Sequence, residues 1–489
     1  MRKTRFQSHA TTFMFVSWLL VGCQTTDTET VSIDRGLDRK AATTQVPQLL
    51  STAAPNPPRS AVDRSNMAAS TASATVASGS ITMEAAVRRA VGWHPAVSEA
   101  TGRIYQADER IRAAQAGYYP KLNAGLDSGY QSNNRAGWRP NFNVSASQLL
   151  YDFGKVSSKV DIERAVKDIS NARLLLAIDD LSRDTANAVV EVQRYRRLSF
   201  LAQEQVEGVR RIAGLVNQRT DKGASTMSDK VQADARVESA LATQLQFQSE
   251  LNRWQTALGA LMGGGTPNPT SDAPGWLSKA CDTAVPDWEE VPAMLQAKAE
   301  KEEAKSQLAA SRAEAFPTIS LEASTGYDLN ASRDDTRSND RQPEYAVGVN
   351  VSASLYNGGQ TGALKRAAAY ALQSAEAAIS TAQYDVNRNL MEARSQIGTL
   401  GRLMGSLESR ADMMVKTRDL YREQYVELGT RTLLDLLNAE QELHESRFQI
   451  ANTIHDLRRL NISCLYNTGK VRKEFGVNPK MVRGGTPSQ

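Results

Sequence analysis
Gly429-Thr-Arg-Thr-Leu-Leu-Asp435-Leu-Leu-Asn-Ala-Glu440 repeats an earlier stretch, Gly223-Ala-Ser-Thr-Met-Ser-Asp229-Lys-Val-Gln-Ala-Asp234, about 206 residues upstream. Glycine falls on glycine, Thr226 on Thr432, Asp229 on Asp435 and Ala233 on Ala439. Nearly the same offset carries Leu150-Tyr151-Asp152-Phe153-Gly154 onto Leu355-Tyr356-Asn357-Gly358-Gly359. A register held over such a distance marks an internal duplication, so the architecture is read from one unit of about 200 residues.

Each unit reads as helix, two strands and a long helical hairpin. The first helix ends at Pro120 in one copy and at Pro317 in the other, because proline lacks the amide a continuing helix needs and drives its predecessor to extended geometry. Period-2 alternation follows. Leu122, Ala124, Leu126, Ser128 and Tyr130 share one face, with Lys121, Asn123, Gly125, Asp127 and Gly129 on the other. The second copy repeats this in Ile319, Leu321, Ala323, Thr325 and Tyr327, then in Val347, Val349, Val351, Ala353 and Leu355. Strands are expected at about 121–131, 141–152, 318–330 and 344–356. Segments of about 10 to 14 residues with aromatics near their ends suit tilted membrane strands. A half-buried soluble sheet would alternate in the same way. Four strands cannot close a barrel, and lipid does not tolerate an open edge; a membrane reading therefore needs several chains to share one barrel.

Beyond each strand pair the chain turns helical. No proline occurs between Pro140 and Pro267, or between Pro343 and Pro479. Helical hairpins are expected over 155–262 and 359–466. A run of nearly 70 helical residues reaches about 100 Å, a length that calls for coiled-coil packing. Gly223 and Gly429 interrupt the two runs at equivalent positions; each supplies the positive φ of a helix stop, with Ser225 or Thr430 expected to cap the next helix. Aromatics make up 6% of the chain, in keeping with thin coiled-coil seams.

The N-terminus reads as an address. Arg2, Lys3 and Arg5 precede a short apolar run, Phe13 to Val21, that ends Leu20-Val21-Gly22-Cys23. The expected signal peptide is 1–22, with Cys23 the candidate lipidation site of a lipobox; an ordinary signal peptide with a coincidental cysteine is the alternative. Residues 23–80 are rich in Ser, Thr, Ala and Pro and read as a flexible linker. The formal charge of +4 includes three positive charges in that signal, and the roughly +1 left argues against a nucleic-acid partner. Cys281 and Cys464 are the other two cysteines. In an exported chain an even remainder usually pairs, although two separate buried thiols would fit the sequence equally.

Enzyme motifs are missing from the sequence. There is no HExxH, CxxC or P-loop, and His444 and His455, about 16 Å apart along one helix, are too far apart to share a metal. Neither a cofactor nor a metal is expected.

Taken together, the duplicated strand pairs, the two very long helical hairpins and the stretch Leu428 to Leu443 resemble the TolC family of outer-membrane efflux proteins over Ile81 to about Tyr466. The resemblance implies a mainly α chain with a membrane β-barrel, three copies forming twelve strands and an α-helical periplasmic tunnel. Repeat 1 would span 81–262, repeat 2 would span 290–467, residues 263–289 would join an equatorial belt, and 468–489 would form a tail. It also implies a periplasmic adaptor at the tip and an inner-membrane ABC or proton-driven transporter. The gate would involve Gly223, Ser228 and Asp229 in repeat 1 and Gly429, Arg431, Asp435 and Asn438 in repeat 2, with Arg431 latching onto Ser228 and Asp229. The family tyrosine three residues before the second glycine is here Val426, with Tyr425 beside it. The expected role is an outer-membrane export duct. The tip sequence favours type I protein secretion, a lipid anchor favours small-molecule efflux, and a periplasmic coiled-coil lipoprotein is the remote alternative.

Overall fold
The computed structural model describes residues 80–131, 137–282, 285–329 and 344–478. The expected signal peptide, Cys23 and the linker up to residue 79 lie outside the described residues.

Repeat 1 comprises α1 (Met83–Trp93), α2 (Pro95–Gln115), β1 (Lys121–Gln131), β2 (Gly137–Tyr151), α3 (Lys155–Asp221) and α4 (Met227–Leu261). Repeat 2 comprises α5 (Pro292–Ala313), β3 (Thr318–Asp328), β4 (Glu344–Ser352), α6 (Gln360–Glu423) and α7 (Leu433–Asn467), followed by α8 (Val471–Glu474). Pro95 and Pro292 open α2 and α5 at the first helical position, where the missing amide has no partner to lose. Asp152 starts α3: one carboxylate oxygen accepts from the Gly154 amide at 3.0 Å and the other from the Val156 amide at 2.6 Å.

Among the described residues the strands form a single antiparallel sheet in the order β1-β2-β3-β4. Two boundaries differ from the sequence reading by four residues. β2 begins at Gly137, not 141, because Pro140 sits opposite Ser128 within the ladder, and the Pro140 carbonyl accepts from the Leu329 amide at 2.9 Å. β4 stops at Ser352, not 356, where its pairing with Thr318 runs out.

The helices form a long, thin assembly. α3 has 67 residues and α6 has 64, so each is about 100 Å long. α3 packs against α2, α4, α5 and α7, and α6 against α5 and α7. On the flanks, α4 and α6 are sparsely covered: only Val386, Leu390, Ala393 and Leu407 are buried on α6. A thick core exists in one place, beside the Leu174–Val192 stretch of α3, where α1, α8 and the ends of α4 and α7 converge around Met83, Leu258, Ile462 and Phe475. Among the described residues no helix is long and apolar enough to cross a membrane.

Candidate functional site
The strand register sorts the whole sheet into two faces. Leu126 pairs with Phe142, Phe142 with Tyr327, and Val144 with both Ala124 and Thr325. Ile319, Leu321 and Ala323 face Val351, Val349 and Val347. The apolar positions of all four strands therefore lie on one side, and they are exposed: Leu122, Leu126, Val347 and Val349 each keep more than 60% of their surface. The other side carries Asn123, Asp127, Asn143, Ser145, Glu322 and Asn350. On it the Glu322 carboxylate accepts from the Asn350 amide at 2.8 Å and from the Ser320 hydroxyl at 3.3 Å. A Cβ at Gly125 would meet the Asn143 side chain at 2.5 Å, so the glycine makes room for an amide lying across it. A sheet with an exposed apolar face and a hydrogen-bonded polar face is built to separate lipid from water.

At the far end of the helices the two turns are superimposable in sequence and similar in backbone. Gly223 and Gly429 have φ of 74° and 63°, left-handed values that glycine adopts without strain. The caps that follow are Thr226 and Thr432, not Ser225 or Thr430. The Thr226 hydroxyl accepts from the Asp229 amide at 3.1 Å, while the Asp229 carboxylate accepts from the Thr226 amide at 3.0 Å, closing a capping box. The Thr432 hydroxyl accepts from the Asp435 amide at 3.2 Å. The Thr226 amide, helped by the Ser225 hydroxyl at 3.0 Å, holds the Asp229 carboxyl below its ordinary range.

Other named tip residues have partners within their own chain. Arg431 donates to Gln424 at 3.0 Å, lies 4.6 Å over the Tyr421 ring and stands 3.8 Å from the Asp435 carboxylate. It does not reach Ser228 or Asp229 of its own chain; Ser228 is exposed. Asn438 accepts from Arg236 of α4 at 3.2 Å, and the same guanidinium donates to Gln441 at 2.6 Å.

Arg219, absent from the sequence reading, and Tyr425, noted there only as the neighbour of Val426, join the turns. Residues Gln424–Leu428 form a π turn, which takes one more residue than an α turn. This places Tyr425, four residues before Gly429, against the first repeat: it is buried, and its hydroxyl lies 3.3 Å from the Ser225 hydroxyl. Arg219 stacks over the Tyr425 ring at 4.9 Å and donates to the Tyr425 and Val426 carbonyls at 3.1 Å each. Beneath them, Val216, Ala233, Leu433 and Leu436 form a small apolar cluster common to both hairpins.

A second polar cluster lies beside the thick core. Arg472 donates to the fully buried Asp179 at 2.5 Å and to the Glu290 side chain at 2.9 Å. Burial outweighs Arg472 and pushes Asp179 up to about 7. The Tyr466 hydroxyl donates to Asp180 at 2.8 Å. Close by, Cys281 and Cys464 are disulfide-bonded, with Cα atoms 5.4 Å apart, packed with Leu390 and Ala393 of α6. Among the described residues no group of His, Cys, Asp and Glu could hold a metal ion.

A two-faced sheet, two hairpins of about 100 Å and paired glycine turns agree with one known family. The family profile described as outer membrane efflux protein matches residues 86–264 and 289–459. The chain belongs to this family. Outer membrane protein TolC of Salmonella enteritidis is 24% identical over 416 residues, covering 78% of this chain and 83% of that protein. Alkaline protease secretion protein AprF of Pseudomonas aeruginosa is 26% identical over 336 residues, covering 64% of this chain and 66% of AprF. The crystal structure of outer membrane protein VceC from Vibrio cholerae aligns with a TM-score of 0.68 and 19% identity, covering 79% of this chain and 96% of VceC; at that identity it speaks for the fold. As an outer membrane efflux protein, the chain is an outer-membrane transport protein and not a member of an enzyme class.

Proposed function
We propose that three copies of this chain form one export duct, the outer-membrane member of a machine completed by a periplasmic adaptor and an inner-membrane transporter. The observation that carries the reading is the sheet: an exposed apolar face with β1 and β4 at its edges. In lipid every backbone group must be satisfied within the protein, so β4 of one chain pairs with β1 of the next. Three chains close twelve strands, as in the family resemblance. The sparsely covered flanks of α4 and α6 then meet across the same seams and continue the barrel as a helical tunnel. The polar strand face lines the lumen.

Gly223 and Gly429 mark the periplasmic end, where the adaptor docks. Ser228, Asp229, Arg431, Asp435 and Asn438 surround the closed aperture. Arg431 of one chain latches onto Ser228 and Asp229 of its neighbour. Cys23 carries the lipid anchor after removal of residues 1–22, and residues 23–80 tether it to the barrel.

The cargo reading is type I protein secretion. It is supported by the Gly429–Glu440 tip sequence and by the likeness to a relative named for alkaline protease secretion. The lipobox-like Leu20–Cys23 favours the second reading, small-molecule efflux. Purified protein should run as a trimer in unheated detergent gels and form channels in planar bilayers; a monomer without channels would refute the duct. Identifying the inner-membrane transporter that co-purifies, ABC or proton-driven, decides between the two cargo readings.

A further inference from the structure
The two long helices lie between equivalent glycines, yet the stretches so bounded differ by one residue. Gly154 and Gly359 precede α3 and α6 with φ of 94° and 85°, and Gly223 and Gly429 follow with φ of 74° and 63°. From the first glycine to the second, repeat 2 has one residue more than repeat 1. The hairpins nevertheless match beyond the turn, where α4 and α7 have 35 residues each and start on the equivalent caps Thr226 and Thr432. In a continuous α-helix one extra residue would rotate the tip by about 100° and move it by about 1.5 Å. The surplus is taken up in the π turn at Gln424–Leu428. In repeat 1 the Ala224 amide closes the turn on the Arg219 carbonyl at 2.7 Å. Its counterpart, the Thr430 amide, reaches one residue further back, to the Gln424 carbonyl, at 3.1 Å.

Such turns are rare inside helices and appear mostly at functional positions. This one is held from outside. The Gly429 and Thr430 amides both go to the Gln424 carbonyl, and the carbonyls of Tyr425 and Val426 are taken instead by Arg219 of the first repeat. The same guanidinium covers the Tyr425 ring, which is buried in the cluster that joins the two hairpins. On its other side the turn touches Arg431, which donates to the Gln424 side chain at 3.0 Å. One short segment therefore meets both the first repeat and the arginine proposed to latch the neighbouring chain.

We infer that Gln424–Leu428 is a two-state element of the tip, a π turn while the duct is closed and an α turn when it opens. The inference rests on the duct reading above and concerns how that duct is regulated. In the α form the Gly429 and Thr430 amides take the Tyr425 and Val426 carbonyls, so Arg219 is released and no backbone group loses its partner. The surplus residue passes into the glycine turn. That carries Gly429 and Arg431 about 100° around α6 and about 1.5 Å along it, away from a neighbour's Asp229. The Tyr425 ring leaves the shared cluster in the same step. Arg219 is a positioning residue: its charge-assisted bonds favour the π form. Two alternative donor sets for the same carbonyls make the segment bistable, as switch elements are. Repeat 1 lacks the surplus residue, so the switch is confined to one of the chain's two tips.

The test deletes Glu427, an exposed residue of the turn, from the full-length protein, so that repeat 2 matches repeat 1 in length and the α form alone remains. Single-channel conductance in planar bilayers should rise severalfold over wild type, with the trimer intact in unheated gels. Adding Arg219→Ala to the deletion should change nothing further, because the carbonyls it held are already taken. A deletion protein that conducts like wild type overturns the switch. So does an Arg219→Ala effect of the same size with and without the deletion. If the deletion protein does not assemble, Val426→Cys reads the turn directly. Val426 packs against the shared cluster, and Cys281 and Cys464 are bonded to each other, so maleimide labelling above the wild-type level reports position 426. Arg219→Ala should speed that labelling severalfold; equal rates overturn the switch. If wild type forms no channels the duct reading fails, and the labelling still decides the turn. If wild type conducts and the deletion protein conducts no more, only the switch fails.

Discussion
The guanidinium of Arg219 caps the π turn of the other repeat, donating to the carbonyls of Tyr425 and Val426 at 3.1 Å while stacked 4.9 Å from the Tyr425 ring. A π turn leaves backbone carbonyls poorly matched to its own amides, and a charged donor from outside satisfies two of them. The contact fastens the end of α6 to the end of α3 and so joins the two tips of one chain. Arg219→Ala removes charge-assisted bonds worth about 1–3 kcal/mol each and should raise single-channel conductance in planar bilayers. Arg219→Lys, with one point charge and no planar fork, should give an intermediate value. Equal conductance in all three proteins would show that this clamp does not bear on opening.

Between chains, the proposed latch makes a separate prediction. Among the described residues of its own chain Arg431 reaches Gln424, Tyr421 and Asp435, which leaves part of its guanidinium for a neighbour's Asp229. Exposed pairs contribute about 0 to 1 kcal/mol each, but three copies act on one opening transition. Arg431→Ser combined with Asp229→Ala should increase conductance while the trimer survives unheated gels. If Asp127→Ala in β1 opened the channel and the double variant did not, the gate would lie at the other end of the molecule.

Cys281 and Cys464 fasten the inter-repeat segment to the end of α7, closing a loop across 183 residues of sequence. Reduction of a structural bridge costs about 2–5 kcal/mol, so Cys281→Ser should lower the melting temperature, and dithiothreitol should lower that of wild type to match. Non-reducing peptide mapping should recover the two cysteines in one cross-linked pair. Two alkylatable thiols in oxidised envelopes would mean that the protein works without the bridge.

For the proposed anchor at Cys23 the readout is processing. Cys23→Ser should leave the precursor uncut by lipoprotein signal peptidase and abolish palmitate labelling. Trimer assembly should persist, because strand pairing and not the acyl chain holds the barrel together. Normal processing of the variant would point to an ordinary signal peptide.

Much of the scaffold was legible because its signals are periodic. Alternation separated Leu122 and Leu126 from Asn123 and Asp127 and put Val347 and Val349 on one side of their strand, and the register places the two sets on opposite faces. Freedom from proline announced α3 and α6 at close to their observed lengths. Lone positions were harder to read. The caps fell on Thr226 and Thr432, because a glycine marks where a helix stops and not how many residues the turn takes before the next begins. Arg219 and Tyr425 belong to different repeats, and the inserted residue of a π turn leaves no mark in hydrophobic pattern. Arg472 gave no signal at all: its partner Asp179 lies in α3, almost three hundred residues earlier.

That last pair makes the protein's stability depend on pH in a direction opposite to that of an ordinary ion-paired carboxylate. Asp179 is fully buried, one of its oxygens lacks a partner, and burial raises its carboxyl from 3.8 to about 7 despite Arg472. A carboxyl whose pKa is higher folded than unfolded binds its proton more tightly in the folded state. Its contribution to stability is therefore complete below about pH 4 and is lost as pH rises through about 7. Asp179→Asn keeps the size and an acceptor for Arg472 but cannot titrate. The melting temperature of wild type relative to Asp179→Asn should consequently rise as pH falls from about 8 to about 5. Using the difference cancels titrations common to both proteins. A difference that instead stays flat over this range would mean that Arg472 dominates and holds Asp179 charged, with its carboxyl at or below the ordinary range.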